Sequence, residues 1–236
     1  MTADLDNNEP GYLRSYGRRR GKKLRPGRER LMAELLPRIA VKSGIALPDQ
    51  FPSEIRELWM EIGFGGGEHL AAQAQAHPDV GIIGCEPFLN GVAKLLSLLD
   101  ENKSENVRIH ADDARDIFPD VPDGALDRVF VLFPDPWPKA KHHKRRLIQT
   151  PLLDELSRML KDGGEFRFAS DHMGYVRWVL SFALKHPDFE WMAEGPGDWR
   201  DPPDDWTRTR YEQKALAGDT IVYLCFRRKM RVSPRA

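Results

Sequence analysis

The sequence predicts an α/β fold: a parallel sheet with helices on both faces. Three observations point there. Apolar runs of strand length alternate with segments of helical period from about residue 57 to residue 226, the pattern of strands joined by crossover helices. The first such run ends in four glycines among five residues, Gly63, Gly65, Gly66 and Gly67. The fourth ends in one acid, Asp135, locked between Pro134 and Pro136. Ligands of open α/β sheets bind at the C-terminal ends of strands, where both features fall.

The elements follow in order. Residues 1–27 contain SYGRRRGKKLRPG, polar and basic, and are expected to form a mobile arm ahead of a single domain over residues 28–236. Residues 28–56 form a short lead-in with a few apolar contacts from Leu31, Leu35, Leu36, Ile39 and Val41. Leu58 to Phe64 is the first strand. Glu68 to Ala76 is Ala-rich and stops before Pro78, as a helix should. Val80 to Cys85 is a second buried strand, and Phe88, Val92, Leu95, Leu96 and Leu99 mark an amphipathic helix. Val107 to His110 and Ala125 to Phe133 are the third and fourth strands. Thr150 is the expected N-cap of a helix with Pro151 at its first position, ending at Gly163-Gly164. Glu165 to Ala169 is the fifth strand, and Val176, Val179, Leu180, Ala183 and Leu184 mark the next helix. Phe189 to Met192 and Thr220 to Phe226 complete the strands, with a long functional loop over residues 193–211 between them.

Hydrophobic content is 41% and charged content 31%, which suits a globular domain with a sizeable core. No apolar run approaches the roughly 20 residues that span a bilayer, and the polar N-terminus has no secretory h-region. Cys85 and Cys225 are the only cysteines and form no CxxC, so they are expected as core thiols of a cytoplasmic, reducing compartment. The net charge is zero but uneven. Residues 14–30 carry nine Arg/Lys and one acid, while residues 139–146 and 227–235 each carry five Arg/Lys and no acid. One such run is usually solvated surface; three, one of them beside a candidate site, favour an extended polyanion such as nucleic acid.

The motifs carry the chemistry. In EIGFGGGEHL, Glu61 to Leu70, glycines such as Gly63 and Gly65 let backbone approach a ligand closely. A dinucleotide pattern begun at Gly63 needs glycine at 68, where this chain has Glu68, and acids there oppose a pyrophosphate. Glu61 and Glu68 suit a cationic ligand instead, and S-adenosylmethionine carries an ammonium and a sulfonium. Glu86 in GCEP, at the end of the second strand, is placed to accept two ribose hydroxyls, or is simply an acid at a helix N-terminus. In HADDARDIF, Asp113 is preferred over Asp112 for an adenine amino group, with an N-cap role competing. FPDPWPKAKHHKRRL, Phe133 to Leu147, holds a rigid acid, an aromatic, five basic residues and two histidines. Trp137 there either stacks on a splayed base or plugs the core. Asp171 in FASDH is an N-cap or a substrate contact facing Asp135, and TRYE, Thr209 to Glu212, leads into the last strand. His142 and His143 have no ligand partners at metal spacing, so no metal is expected.

Together these segments resemble the tRNA (guanine-N7-)-methyltransferases, from about Glu61 to Phe226, and the basic arm also fits. PDPWPKxxHxKRR is the most specific piece. The resemblance implies a Rossmann-like class I S-adenosyl-L-methionine-dependent methyltransferase whose mostly parallel, seven-stranded sheet has an antiparallel last strand. It implies methyl transfer from S-adenosyl-L-methionine to N7 of guanosine 46 in the variable loop of tRNA, with no obligate protein partner, as in the bacterial type. By motif match, Glu61, Glu86, Asp113 and Asp135 are cofactor contacts, with Gly63 and Gly65 beside them, and Asp135 is catalytic. Lys139, Asp171, Thr209, Arg210, Tyr211 and Glu212 are substrate contacts. Guanine N7 has a lone pair and no proton, so the chemistry asks for placement within about 3 Å and in line, not for a base; Asp135 is expected to orient the purine and favour its positive charge. Two other readings are weaker. An NAD-linked oxidoreductase is opposed by Glu68 and the PDPW segment; a non-catalytic RNA-binding subunit is opposed by Asp135, Lys139 and Asp171 together.

Overall fold

Val80–Cys85 is buried at all six of its positions, as a strand covered by helices on both faces must be. The computed structural model describes residues 19–213 and 220–231. Residues 1–18 of the expected arm and residues 232–235 of the C-terminal basic run lie outside the described residues.

In chain order the elements are α1 (Pro26–Glu34), α2 (Leu36–Ile39), β1 (Glu57–Ile62), α3 (Glu68–Ala76), β2 (Val80–Cys85), α4 (Leu89–Asn102), β3 (Val107–His110), β4 (Leu126–Leu132), α5 (Thr150–Met159), β5 (Leu160–Ser170), α6 (Met173–Ala183), β6 (Phe189–Trp191), α7 (Gly197–Arg200), α8 (Arg210–Gln213) and β7 (Val222–Arg228). The strands make one sheet of seven, in the order β3-β2-β1-β4-β5-β7-β6. β1 to β5 pair in parallel, whereas β7 runs antiparallel to β5 and β6. The strand order reverses between β1 and β4, so their C-terminal ends form the switch point where such sheets bind ligands.

Alternation along β1 divides the core in two. Leu58, Met60 and Ile62 pack with Leu152 and Leu156 of α5 and Val176 and Val179 of α6. Trp59 packs on the other face with Leu70 and Ala74 of α3 and Val92, Leu95 and Leu96 of α4. The lead-in is more structured than expected: Leu31 on α1, Leu36 and Ile39 on α2, and Leu35 between them cover this second cluster. Ala40 then bridges Ile109 in parallel at the β3 edge.

One boundary differs by several residues. The helix expected to run to Gly163-Gly164 ends at Met159, and β5 starts at Leu160. Gly163 sits at φ +82 inside the strand, beside a register shift between Leu126 and Arg128 of β4. The glycine pair therefore permits a bulge instead of stopping a helix. Thr150 is the first residue of α5, with Gln149 in the capping position. The 193–211 loop contains α7 and the start of α8. Among the described residues no helix is long and apolar enough to cross a membrane.

Candidate active site

Beyond β4 the backbone turns sharply while still tied to β5, with the Phe133 amide donating to the Ala169 carbonyl at 2.8 Å. Phe133 and Trp137 stand at φ +50 and +42, a left-handed conformation uncommon for residues with side chains. Between them Pro134, Asp135 and Pro136 are held out from the sheet. Asp135 is exposed and lines a cavity of about 340 Å³ together with Gly63, Gly65, Glu86, Asp113 and Trp137.

Arg146 holds this turn from below. It is 2% exposed. Its Nε donates to the Pro136 carbonyl at 2.9 Å and its Nη1 to the Gly174 carbonyl at 3.2 Å. The guanidinium lies over Tyr175 and Trp178, and burial lowers its pKa from the ordinary guanidinium value. The expectation that the whole 139–146 run forms a cationic surface is therefore corrected. Arg145 covers the Trp137 ring at 4.9 Å, His142 meets the same ring edge-on at 5.8 Å, and His143 packs on Trp178. Lys139, Lys141 and Lys144 face solvent.

Across the cavity, the β1–α3 loop places Gly63 and Gly65 at φ +77 and +55. Nothing lies within 4 Å of where a Cβ would stand on either residue, so the loop presents bare backbone to open space. Glu86 is buried at the end of β2. Its Oε2 accepts from the Gly65 amide at 2.7 Å and its Oε1 from the Phe88 amide at 2.8 Å. Burial pushes its carboxyl above the ordinary glutamate value; the Phe88 and Gly65 amides pull it back, and the charge of Asp135 adds to the rise. Asp113 caps the short 3-10 helix Ala114–Asp120 that follows β3, accepting from the Arg115 amide at 3.1 Å and its Nε at 2.8 Å, and still lines the cavity. Asp112 pairs with Arg19 from the arm. Burial raises the Asp112 carboxyl, but Arg19 and the Asp113 amide more than offset this and hold it low.

A smaller cavity of about 210 Å³ adjoins on the other side of Gly63, Gly65 and Phe133, lined also by Glu61, Glu68 and Tyr211. Glu61 is buried and bonded to His69, and Glu68 pairs with Lys94. Asp171 does not cap α6, because His172 does. It accepts instead from the Tyr211 hydroxyl at 3.0 Å, and the Tyr211 ring lies 5.3 Å from that of Phe133. Thr209 and Glu212 form a reciprocal capping box: the Thr209 amide donates to Glu212 Oε2 at 2.7 Å, and the Glu212 amide to Thr209 Oγ1 at 3.3 Å. Glu212 also accepts from Trp206 and Tyr223, so its carboxylate pins the segment. The side chain of Arg210 lies outside the described residues.

The structure thus gathers Glu61, Gly63, Gly65, Glu86, Asp113 and Asp135 around two adjoining cavities, with Asp171 and Tyr211 at their margin. Lys139 stands outside on the exposed surface. Arg146 and His69 escaped the sequence reading. Among the described residues no group of three or more His, Cys, Asp or Glu is arranged to hold a metal ion.

Sheet order, antiparallel β7 and a glycine loop opposite an acid-bearing strand end define a Rossmann-like class I methyltransferase. An rRNA methylase from Streptococcus thermophilus shares the fold, with a TM-score of 0.51 at 12% identity over 75% of this chain and 89% of that one. Residues 56–225 match the family described as "Putative methyltransferase". A tRNA (guanine-N(7)-)-methyltransferase of Rhodospirillum rubrum is 53% identical over 228 residues, covering 93% of this chain and 89% of that protein. The enzyme of the same name from Zymomonas mobilis is 47% identical over 231 residues, covering 97% and 100%. The chain belongs to the tRNA (guanine-N7-)-methyltransferase family.

Proposed function

We propose that this chain transfers a methyl group from S-adenosyl-L-methionine to N7 of guanosine 46 in the variable loop of tRNA, in the cytoplasm and without an obligate protein partner. The observation that carries the reading is Asp135 on the wall of the same cavity as Glu86 and the bare Gly63–Gly65 backbone. A ligand bound there meets the carboxylate without any rearrangement of the sheet.

The residues fit the cofactor. Open space above Gly63 and Gly65 accommodates a ligand pressed on the loop. Glu86 uses one lone pair of each oxygen on a backbone amide and keeps others for ribose hydroxyls. Asp113 faces the adenine end, Glu61 the cationic methionine end, and Asp135 both the cofactor and the purine. When bound, S-adenosylmethionine supplies an electrophilic methyl on a sulfonium. The chain's own task is to hold purine N7, which has no proton to lose, at that point. Asp135 orients the guanine and favours the positive charge it acquires. Asp171 with Tyr211 borders the base, Thr209 to Glu212 form the segment behind it, and Lys139 meets backbone phosphate. The arm, residues 1–27, adds cationic contacts elsewhere on the tRNA.

The test is methylation of unmodified tRNA by the purified chain alone, with the modified nucleotide mapped. N7-methylguanosine at position 46 is the expected product. Label at another nucleotide removes the proposed target, and no label removes the activity or the claim of self-sufficiency, which a complementing extract then separates.

A further inference from the structure

We infer that His69 is the positioning residue that aims Glu61 at the cofactor, an inference resting on the reading of Glu61 as a cofactor contact. The two residues are 2% and 3% exposed, and His69 Nδ1 stands 2.8 Å from Glu61 Oε2. Glu61 lines the smaller cavity beside Gly63 and Gly65. A carboxylate has about four lone-pair sites, so one bond to His69 fixes its plane and leaves capacity for a cationic ligand.

The imidazole is itself fixed from three sides. Gln73 Nε2 donates to the Asp205 carbonyl at 2.9 Å and lies 3.4 Å from His69 Nε2. A carbonyl only accepts, so the Gln73 amide nitrogen must face Asp205, and its second N–H then points at His69 Nε2. The contacts from Gln73 Nε2 to His69 and from His69 to Glu61 pair a donor with an acceptor only when the histidine proton is on Nδ1, where it is donated to Glu61. Phe130 packs edge-on at 4.9 Å, and the Trp206 ring lies tilted against the imidazole at 5.4 Å. Asp205 is held in turn by Arg128 at 2.8 Å and Arg167 at 2.6 Å. A relay thus runs from the segment carrying Thr209 to Glu212, through Asp205, Gln73 and His69, to the carboxylate in the cavity. Such an outer partner fixes the direction of the group that touches the ligand.

Two substitutions separate this role from plain core packing. In His69→Asn the amide nitrogen overlies Nδ1 and can still donate to Glu61. In His69→Gln it reaches toward Nε2 and leaves Glu61 unmet. Binding of S-adenosylhomocysteine is measured calorimetrically for both, alongside Glu61→Gln and melting temperatures. The expected result is at least about a tenfold loss of affinity in Glu61→Gln and His69→Gln, falling on the KM for S-adenosylmethionine and not on kcat, with affinity in His69→Asn within about twofold of wild type. Wild-type affinity in Glu61→Gln overturns both the reading of Glu61 and this inference. A loss in Glu61→Gln with none in His69→Gln, or equal losses in both histidine variants that follow their melting temperatures, overturns the inference alone.

Discussion

Gly91 packs against Gly65 so closely that a Cβ on Gly91 would stand 2.1 Å from the Gly65 carbonyl oxygen. The first turn of α4 therefore supports the back of the glycine loop. The obstacle is backbone, so no side-chain rotation relieves it.

Gly91→Ala is expected to push the loop toward the cavity or force α4 away. Overpacking of this kind costs about 1–3 kcal/mol, and the loop carries the Gly65 amide that binds Glu86. Affinity for S-adenosylhomocysteine should fall by about tenfold or more while the protein stays folded by circular dichroism. Unchanged affinity would show that the loop does not depend on its backing.

Arg146 makes a second remote support testable. Arg146→Met keeps much of the apolar stem but removes the donors to Pro136 and Gly174. Hydrogen bonds from charged donors are worth more than neutral ones, so a loss of about 2–4 kcal/mol in urea unfolding is expected. Arg146→Lys should recover only part of it, since one ammonium does not reproduce a fork that also stacks on Tyr175 and Trp178. A loss below about 1 kcal/mol in Arg146→Met would show that the turn is held by its prolines and not by the guanidinium.

These two residues mark where the sequence is legible. β2 and β3 match their expected bounds because a fully buried apolar run and an alternating segment, VRIH, each with clear flanks, have few alternatives. Glu86, Asp113 and Asp135 meet around one cavity because each follows a strand end on one rim of the sheet. Arg146 was not legible: in the sequence it is one more cation in a run, and its burial depends on Tyr175 and Trp178, about thirty positions away. His69 was hidden in an Ala-rich helix whose polar partners come from β1 and from Asp205. Gly163-Gly164 misled for a local reason, since a glycine pair stops a helix and makes a bulge with equal ease. The T-x-x-E spacing of Thr209 to Glu212 fits a capping box, but the segment was read only as leading into the last strand, and the structural duty of Glu212 competes with the substrate role the resemblance implies.

Asp135→Ala should lower kcat by about 10²-fold or more with tRNA affinity little changed, since the residue's proposed task concerns charge and placement. Asp135→Asn keeps an acceptor and loses the charge. If it is as impaired as alanine, charge dominates; if it is largely active, hydrogen bonding does. Single-turnover methylation measures both, and wild-type rates in Asp135→Ala would remove this residue from the mechanism.

The exposed cations ahead of α1 should act through phosphate. Replacing Arg20, Lys22 and Lys23 together by Gln removes three exposed charges without touching Arg19, which pairs with Asp112. The slope of log K for tRNA against log salt should fall by about 0.7–0.9 for each phosphate no longer neutralised, with affinity for S-adenosylhomocysteine unaltered. A slope equal to wild type would place the arm off the tRNA.

Glu86 makes cofactor binding depend on pH in a definite direction. Its carboxyl is raised above the ordinary 4.5, first by burial. Ribose hydroxyls donate best to the ionised form, so affinity for S-adenosylhomocysteine should weaken on acidification, beginning at a higher pH than an ordinary glutamate requires. Stability runs the other way. Below 4.5 the group is protonated both folded and unfolded, and the neutral buried carboxyl costs little. As pH rises the unfolded chain ionises first, and the group's contribution to folding declines until pH passes its raised folded value. Glu86→Gln should therefore flatten the stability profile above pH 4.5 while binding S-adenosylhomocysteine weakly at every pH. Urea titrations and calorimetry over pH 4–8 test both arms, and a variant whose cofactor affinity kept the wild-type pH dependence would assign the titration to another carboxylate of the cavity.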